Sequence, residues 1–125
     1  MRIIAHFTLF LAILSVLMAS CDVAYPSSFT FNEIVDAIYK AEGGTKAKKP
    51  FGILSVPCAG YEDCRDVCFN TVRNNHRRWL LKGDKRPFLE FLGSRYAPIS
   101  ATNDPDNLNV NWIRNVKYFL FKKEE

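Results

Sequence analysis

The amino-acid sequence predicts a mainly helical fold in one small domain, and three observations lead to this prediction. Apolar residues recur at helical spacing in several segments, glycine or proline stands at the ends of these segments, and one short apolar stretch lacks the helical period. The 125 residues are 48% hydrophobic and 24% charged, which excludes a disordered, a collagen-like or a disulfide-dense chain. We therefore expect a single domain over residues 22–125, a length too short for two domains.

The first 21 residues have the pattern of an export signal. Arg2 supplies a positive charge, residues 7–18 are mostly apolar, and the small residues Ala19 and Ser20 come just before Cys21. The apolar run is short for a membrane-spanning helix. Small residues directly before a cysteine resemble the lipobox of bacterial lipoproteins, which implies a lipid anchor on Cys21 and a periplasmic protein held at the cell envelope. The alternative is a secreted protein whose Cys21 joins a disulfide.

The first helix is expected to begin at Thr30. Thr30 and Glu33 form a capping-box pattern, and apolar residues follow at helical spacing as far as Ala41. Gly43 and Gly44 should end this helix, since glycine tolerates the left-handed backbone just beyond a last turn. A basic loop follows, and then the apolar residues 51–57, which predict one short extended segment.

Three further helices are expected, over about residues 62–82, 88–96 and 111–122, with a polar loop rich in Asn and Asp before the last one. Glycine follows the first of these segments and proline precedes the second, as is typical of helix ends. Thr71 and Asn75 interrupt the apolar face of the second helix. A hydrogen bond inside a substrate cleft would explain why the polar Asn75 stands on this apolar face.

The second helix also carries a basic segment, residues 73–78, with three arginines and one histidine. This segment could bind stem-peptide carboxylates or anionic lipid headgroups, or it could be a solvated face paired with Asp63, Asp66 and Glu90. We expect no nucleic-acid partner, because an exported protein rarely meets nucleic acid. The net charge of +4 suits an anionic partner without identifying one.

The cysteines at positions 58, 64 and 68 allow one disulfide. Cys64 and Cys68 lie on the same face of one predicted helix and cannot easily bond each other, whereas Cys58 precedes that helix and can reach either. If Cys21 is lipidated, we expect one bridge from Cys58 and a buried third thiol. The spacing of these cysteines and His76 fits no usual zinc pattern, so we expect no metal and no cofactor.

Glu42 is the candidate catalytic residue. It follows Ile38 by one helical turn, so it continues the apolar stripe of the first helix, and it stands at the negative end of the helix dipole. Partial burial and the dipole both disfavour the ionised carboxylate and should raise its pKa. A raised pKa suits a general acid near neutral pH, whereas a solvated glutamate in a last helical turn is the alternative.

The string Ile-Tyr-Lys-Ala-Glu-Gly-Gly at residues 38–44 and the string Pro-Phe-Gly-Ile-Leu-Ser-Val at residues 50–56 resemble the lysozyme-like superfamily, in its soluble lytic transglycosylase and goose-type branch. In that branch a helix ends in a Glu-Ser-Gly-Gly-like string, and a Gly-Leu-Met-Gln-Ile-like string follows a short loop. This chain has Gly43 where the branch has Ser, and Ser55 where it has Gln. The resemblance implies an α+β lysozyme-like fold with Glu42 as the catalytic acid.

The resemblance also implies substrate contacts. On this resemblance, the substrate-lining segment contains Gly52, Ile53 and Ser55. Tyr118 in the last helix is implied to contact Glu42. Tyr96 is a separate candidate for stacking on a sugar ring, because it stands at a predicted helix end beside a loop.

The function implied by the resemblance is cleavage of peptidoglycan glycan strands without a cofactor. A hydrolase would need a second carboxylate, for which Asp104 and Asp106 are the candidates. A lytic transglycosylase needs none, because the 6-hydroxyl of the sugar attacks, and this form is favoured here. One alternative is a non-catalytic envelope lipoprotein of lysozyme-like fold that binds peptidoglycan or a partner protein. Another is a small secreted disulfide protein of unrelated helical fold.

Overall fold

The computed structural model describes residues 29–122, and α-helices dominate this part of the chain. The helices are α1 (Phe31–Ala41), α2 (Gly60–Lys82), α3 (Phe88–Tyr96) and α4 (Trp112–Phe121). Short 3₁₀ turns occur at Gly44–Lys46, Pro50–Gly52 and Leu108–Asn111. Residues 29–122 contain no β-strand, so the predicted mainly helical class is confirmed for them.

Two predictions fall outside the described residues, namely the export signal over residues 1–21 and the lipid anchor on Cys21. Of the helices between residues 29 and 122, none combines the length and the apolar character needed to cross a membrane.

α1 begins and ends where the sequence predicts. The Glu33 N–H donates to Thr30 Oγ1 at 3.2 Å and the Thr30 N–H donates to the Glu33 carboxylate at 2.6 Å, which completes the capping box. At the other end the Glu42 N–H donates to the Ile38 carbonyl at 2.9 Å, and Gly43 then adopts a φ of +105°. Glu42 is therefore the residue that closes α1.

The apolar segment after α1 begins with a turn, which corrects the expectation of extended geometry at residues 51 and 52. Pro50–Gly52 is a 3₁₀ turn in which Phe51 has a φ of +60°, and extended geometry appears at Ile53. The Phe51 ring is fully buried and packs against Tyr39 and Tyr61 at centroid distances of 5.0 and 5.6 Å. A lone strand could not pair its backbone groups, whereas the turn buries the ring of Phe51.

α2 begins two residues before the predicted start, at Gly60, because the Asp63 carboxylate accepts a hydrogen bond from the Ala59 N–H at 2.7 Å. A disulfide between Cys58 and Cys64 joins the preceding segment to the first turns of this helix. Cys68 is a buried free thiol. The observed bridge is one of the two pairings that the sequence left open.

α1 packs against α2 and α4, and α3 also packs against α2 and α4. The Pro50–Gly52 turn lies against both α1 and α2. Every α-helix and this turn contribute at least one side chain that is buried almost completely, and the largest of these are Val35, Ile38, Phe51, Val72, Leu92 and Val116. This core fixes the end of α1 relative to the turn that follows it.

Candidate active site

The carboxyl group of Glu42 is half-buried between the end of α1, the Pro50–Gly52 turn and the start of α4. Its Oε1 accepts a hydrogen bond from Trp112 Nε1 at 2.8 Å. The backbone of Gly52 lies so close that a Cβ there would collide with the carboxyl group. Burial raises the pKa of Glu42, and the hydrogen bond from Trp112 partly opposes this rise. A raised pKa keeps more of the carboxyl group protonated, the form that can donate a proton.

Trp112 and Tyr96 connect the carboxyl group of Glu42 to the Pro50–Gly52 turn. The indole of Trp112 stacks on the ring of Tyr96, with centroids 5.1 Å apart and planes at 27°. The Tyr96 hydroxyl donates to the Phe51 carbonyl at 2.5 Å, and Cys68 Sγ lies 3.6 Å from the same hydroxyl oxygen. Burial raises the pKa of the Cys68 thiol to about 12 and also raises the pKa of Tyr96, so both groups stay neutral. These contacts hold Phe51, and with it Gly52, beside Glu42.

Two surface pockets are each lined by a residue that Glu42 contacts. The Arg95 pocket has a volume of about 270 Å³ and is lined by residues 52–56, Val67, Thr71, Arg95, Tyr96 and Asn103. The Ile113 pocket has a volume of about 300 Å³ and is lined by Glu90, Gly93, Ser94, residues 97–99, Asn109, Val110, Trp112 and Ile113. Because Gly52 lines the first pocket and Trp112 lines the second, Glu42 contacts the wall of each.

The structure brings four of the predicted substrate-binding residues together in the Arg95 pocket. Gly52, Ile53 and Ser55 form one wall, and Tyr96 contributes to another. Tyr96 stacks on Trp112 and its hydroxyl is bonded to a backbone carbonyl, so it is a wall residue that is already packed within the protein. Its stacking on a sugar ring stays a prediction.

The expected contact between Tyr118 and Glu42 is replaced by the hydrogen bond from Trp112. Tyr118 is 56% exposed, its ring packs against Phe119, and the Lys122 ammonium lies 5.7 Å from its centroid. Positions 112 and 118 are roughly a third of a turn apart around a helix, so they face different directions. The side chain of α4 that points to α1 is therefore the tryptophan.

Asn75 does not line the cleft that was expected for it. It is 5% exposed and lies between α2 and α3, where its Nδ2 donates to the Thr71 carbonyl at 2.9 Å. Its Oδ1 accepts a hydrogen bond from Arg95 Nε at 2.6 Å. Asn75 therefore does not line the Arg95 pocket itself, but it orients the arginine that does.

Sequence reasoning missed the roles of Trp112 and Arg95. A signal for the first exists, because a tryptophan on an apolar stripe needs an acceptor for its indole N–H when it is buried. The interruption of an apolar helix face by Asn75 predicts some polar partner, but only the packing of α3 on α2 identifies Arg95 as that partner.

Of the two candidate second carboxylates, Asp104 is engaged in its own loop. Its two oxygens accept hydrogen bonds from the Leu108 and Asn109 N–H groups at 2.8 and 2.9 Å. Asp106 is exposed and is absent from the walls of both pockets. No group of three His, Cys, Asp or Glu side chains between residues 29 and 122 is arranged to hold a metal ion.

The basic segment of α2 is exposed at its three arginines, of which Arg73 donates to Asn70 at 2.9 Å. Two of the acidic residues considered as its partners are used elsewhere. Asp63 binds the Ala59 N–H, and Glu90 lies 3.8 Å from Lys117. The binding of anions by this segment stays a prediction.

Comparison of the chain with known protein families, with curated proteins and with solved structures finds no match. The fold and the site therefore define a structural class only, a mainly helical domain in which a half-buried carboxyl group contacts two pockets.

Glu42→Gln is expected to raise the free energy of unfolding at neutral pH, with a difference from wild type that disappears in acid. Because burial raises the pKa of Glu42 above its ordinary value of 4.5, the folded state binds more protons than the unfolded state. The contribution of Glu42 to stability is complete below pH 4.5 and is lost as the pH rises through the folded-state pKa. Urea unfolding of both proteins across this range measures the effect. A difference independent of pH would contradict burial as its cause.

Gly52→Ala is expected to destabilise the fold by more than a matched substitution, Gly83→Ala. Both glycines have left-handed backbones, with φ values of +66° and +59°, so both substitutions carry a strain of about 1–2 kcal/mol. Only the new Cβ at position 52 collides with Glu42, whereas the one at position 83 meets no atom within 4 Å. Urea unfolding gives both free energies, and equal losses would refute close packing of Gly52 on the carboxyl group.

Proposed function

We propose that this protein cleaves the glycan strands of peptidoglycan as a lytic transglycosylase, with Glu42 as the general acid. The observation that carries the proposal is a half-buried carboxyl group with a raised pKa that contacts the wall of a pocket on each side. A general acid that cleaves a bond between two sugars needs room for a sugar on either side of that bond. The resemblance of residues 38–44 and 50–56 to the lysozyme-like superfamily supports the same role, and a lysozyme-like fold is part of the proposal.

In the proposed reaction, protonated Glu42 donates its proton to the glycosidic oxygen while the bond from that oxygen to the anomeric carbon breaks. The leaving sugar departs with a new hydroxyl group, and positive charge develops on the remaining ring. The 6-hydroxyl oxygen of this second sugar then bonds to the anomeric carbon, and its proton returns to Glu42. The product carries an internal 1,6-anhydro ether, no water is consumed, and Glu42 regains its starting protonation state.

The surroundings of Glu42 suit both halves of this cycle. Burial favours the protonated acid before the bond breaks. The Trp112 N–H, 2.8 Å from Oε1, stabilises the carboxylate that exists after the proton has left. A donor that also orients the carboxyl group keeps its position constant through the reaction.

The engagement of Asp104 supports the transglycosylase form over a hydrolase. Both oxygens of Asp104 accept backbone hydrogen bonds within its own loop. These bonds leave fewer acceptor sites on the carboxylate for a water molecule that the second group of a hydrolase would activate.

A non-catalytic role is the second candidate, and one observation favours it. Glu42 touches residues of both pockets but is itself absent from the residues that line them. The protein would then be an envelope lipoprotein that uses the two pockets to bind peptidoglycan or a partner protein.

The test is incubation of purified sacculi with the purified protein, followed by mass spectrometry of the soluble fragments. Fragments that end in 1,6-anhydro sugars are expected. Fragments with reducing ends would indicate a hydrolase instead. Protein that binds sacculi without releasing fragments would favour the non-catalytic alternative.

We further propose that the protein is exported and attached to the cell envelope through a lipid on Cys21, which would bring it to peptidoglycan. Mass spectrometry of the mature N-terminus tests this part separately. An unmodified Cys21 would refute the anchor and leave secretion as the alternative.

A further inference from the structure

We propose that Arg95 binds a carboxylate of the peptide carried by the glycan strand, so that the Arg95 pocket selects strands bearing peptide carboxylates over neutral amino-sugar polymers. This inference rests on the proposed glycan-binding function and specifies its substrate class. It is carried by a cationic side chain that a buried polar residue holds at the edge of a pocket next to Glu42.

Arg95 is positioned by contacts that use only part of its guanidinium group. Its Nε donates to Asn75 Oδ1 at 2.6 Å, and Asn75 is itself fixed by its bond to the Thr71 carbonyl at 2.9 Å. The Phe91 ring lies under the guanidinium, with its centroid 6.0 Å from the central carbon. Asn75 is nearly completely buried, so this support has few ways to rearrange. The two terminal nitrogens of Arg95 are left to bind a ligand.

The charge of Arg95 has no partner carboxylate in the part of the chain that the structure describes. The ion pairs found between residues 29 and 122 join Arg65 to Asp36, Arg86 to Asp84 and Lys117 to Glu90. A guanidinium group presents a planar pair of donors that matches a carboxylate. An oriented and unneutralised arginine in a pocket therefore favours an anionic ligand group.

The rest of the pocket suits a substituted sugar. Ile53, Leu54 and Val56 offer apolar surface, while Ser55 and Asn103 offer polar groups. At about 270 Å³ the pocket is small for a ligand site, which leaves room for one sugar unit or its substituent. Because Gly52 lies in its wall and against Glu42, a strand held there would contact the backbone that packs on the carboxyl group.

The test measures binding to the Glu42→Gln protein, which should hold substrate without cleaving it. The probes are a soluble disaccharide–peptide fragment of peptidoglycan, the same fragment with its carboxylates converted to methylamides, and a chitin oligosaccharide. We expect the unmodified fragment to bind at least about 10-fold more tightly than either probe that lacks carboxylates. Adding Arg95→Gln should lower affinity for the unmodified fragment about 10-fold and leave affinity for the amidated fragment unchanged.

Arg114→Gln is the matched control, since Arg114 is exposed on α4 and is absent from the walls of both pockets. It should leave all three affinities unchanged. Equal loss of affinity for the charged and the amidated fragments in Arg95→Gln would assign Arg95 a structural role and overturn the inference, as would no loss at all. Undetectable binding of the unmodified fragment would also overturn it.

The two proposals fail in different ways. Cleavage of sacculi without any preference for carboxylates would leave the proposed function standing and refute the role of Arg95. Arg95-dependent binding without cleavage would refute the enzymatic function and keep the selectivity.

Discussion

Glu42→Gln is expected to lower the rate of glycan-strand cleavage by at least about 100-fold, the lower range for loss of a general acid. Glutamine keeps the size of the side chain and an oxygen for the Trp112 N–H, but it has no acidic proton to give to the glycosidic oxygen. The loss should therefore come from chemistry with the fold intact. Release of soluble fragments from sacculi and clearing zones in zymograms measure the two rates, and circular dichroism checks the fold.

Glu62→Gln is the control for the loss of a negative charge, because Glu62 is exposed in the first turn of α2. It should retain wild-type activity. Equal clearing by wild type and Glu42→Gln would end the catalytic proposal. The activity of wild type should also fall as the pH rises through the pKa of Glu42, which burial places above its ordinary value.

Phe51→Ala is expected to lower the free energy of unfolding by about 3–5 kcal/mol, the usual range for truncation of a buried phenylalanine. The ring has no exposed surface and packs against Tyr39 and Tyr61, so its removal leaves a cavity between α1 and α2. A small domain has only about 5–15 kcal/mol in total, so this single change would remove a large part of its stability. Urea unfolding followed by circular dichroism measures the loss.

The matched control is Leu54→Ala, three residues further along the same segment. Leu54 is 64% exposed, so its truncation should change stability by no more than about 0.5 kcal/mol. If the two substitutions had similar effects, the Phe51 ring could not be the anchor of the turn that carries Gly52.

The helices were predictable because their signals are local. The capping box of Thr30 and Glu33 and the glycines after Glu42 lie within a few residues of the helix ends that they determine. The same local pattern predicted that Glu42 would be partly buried at the end of α1. The turn at residues 51 and 52 was not predicted, because the burial of Phe51 and the absence of a pairing strand depend on α1 and α2 together.

The sequence by itself determined the mainly helical class and the position of Glu42 at the end of α1, because apolar spacing and helix caps act over one or two turns. Only the tertiary structure decided what surrounds Glu42. Trp112 is 70 residues from Glu42, Tyr96 is 45 residues from Phe51, and Arg95 is 20 residues from Asn75. Such contacts follow from how four helices pack, which no local pattern encodes. The packing makes Trp112, and not Tyr118, the α4 residue that binds Glu42, and it places Arg95 in the wall of the neighbouring pocket.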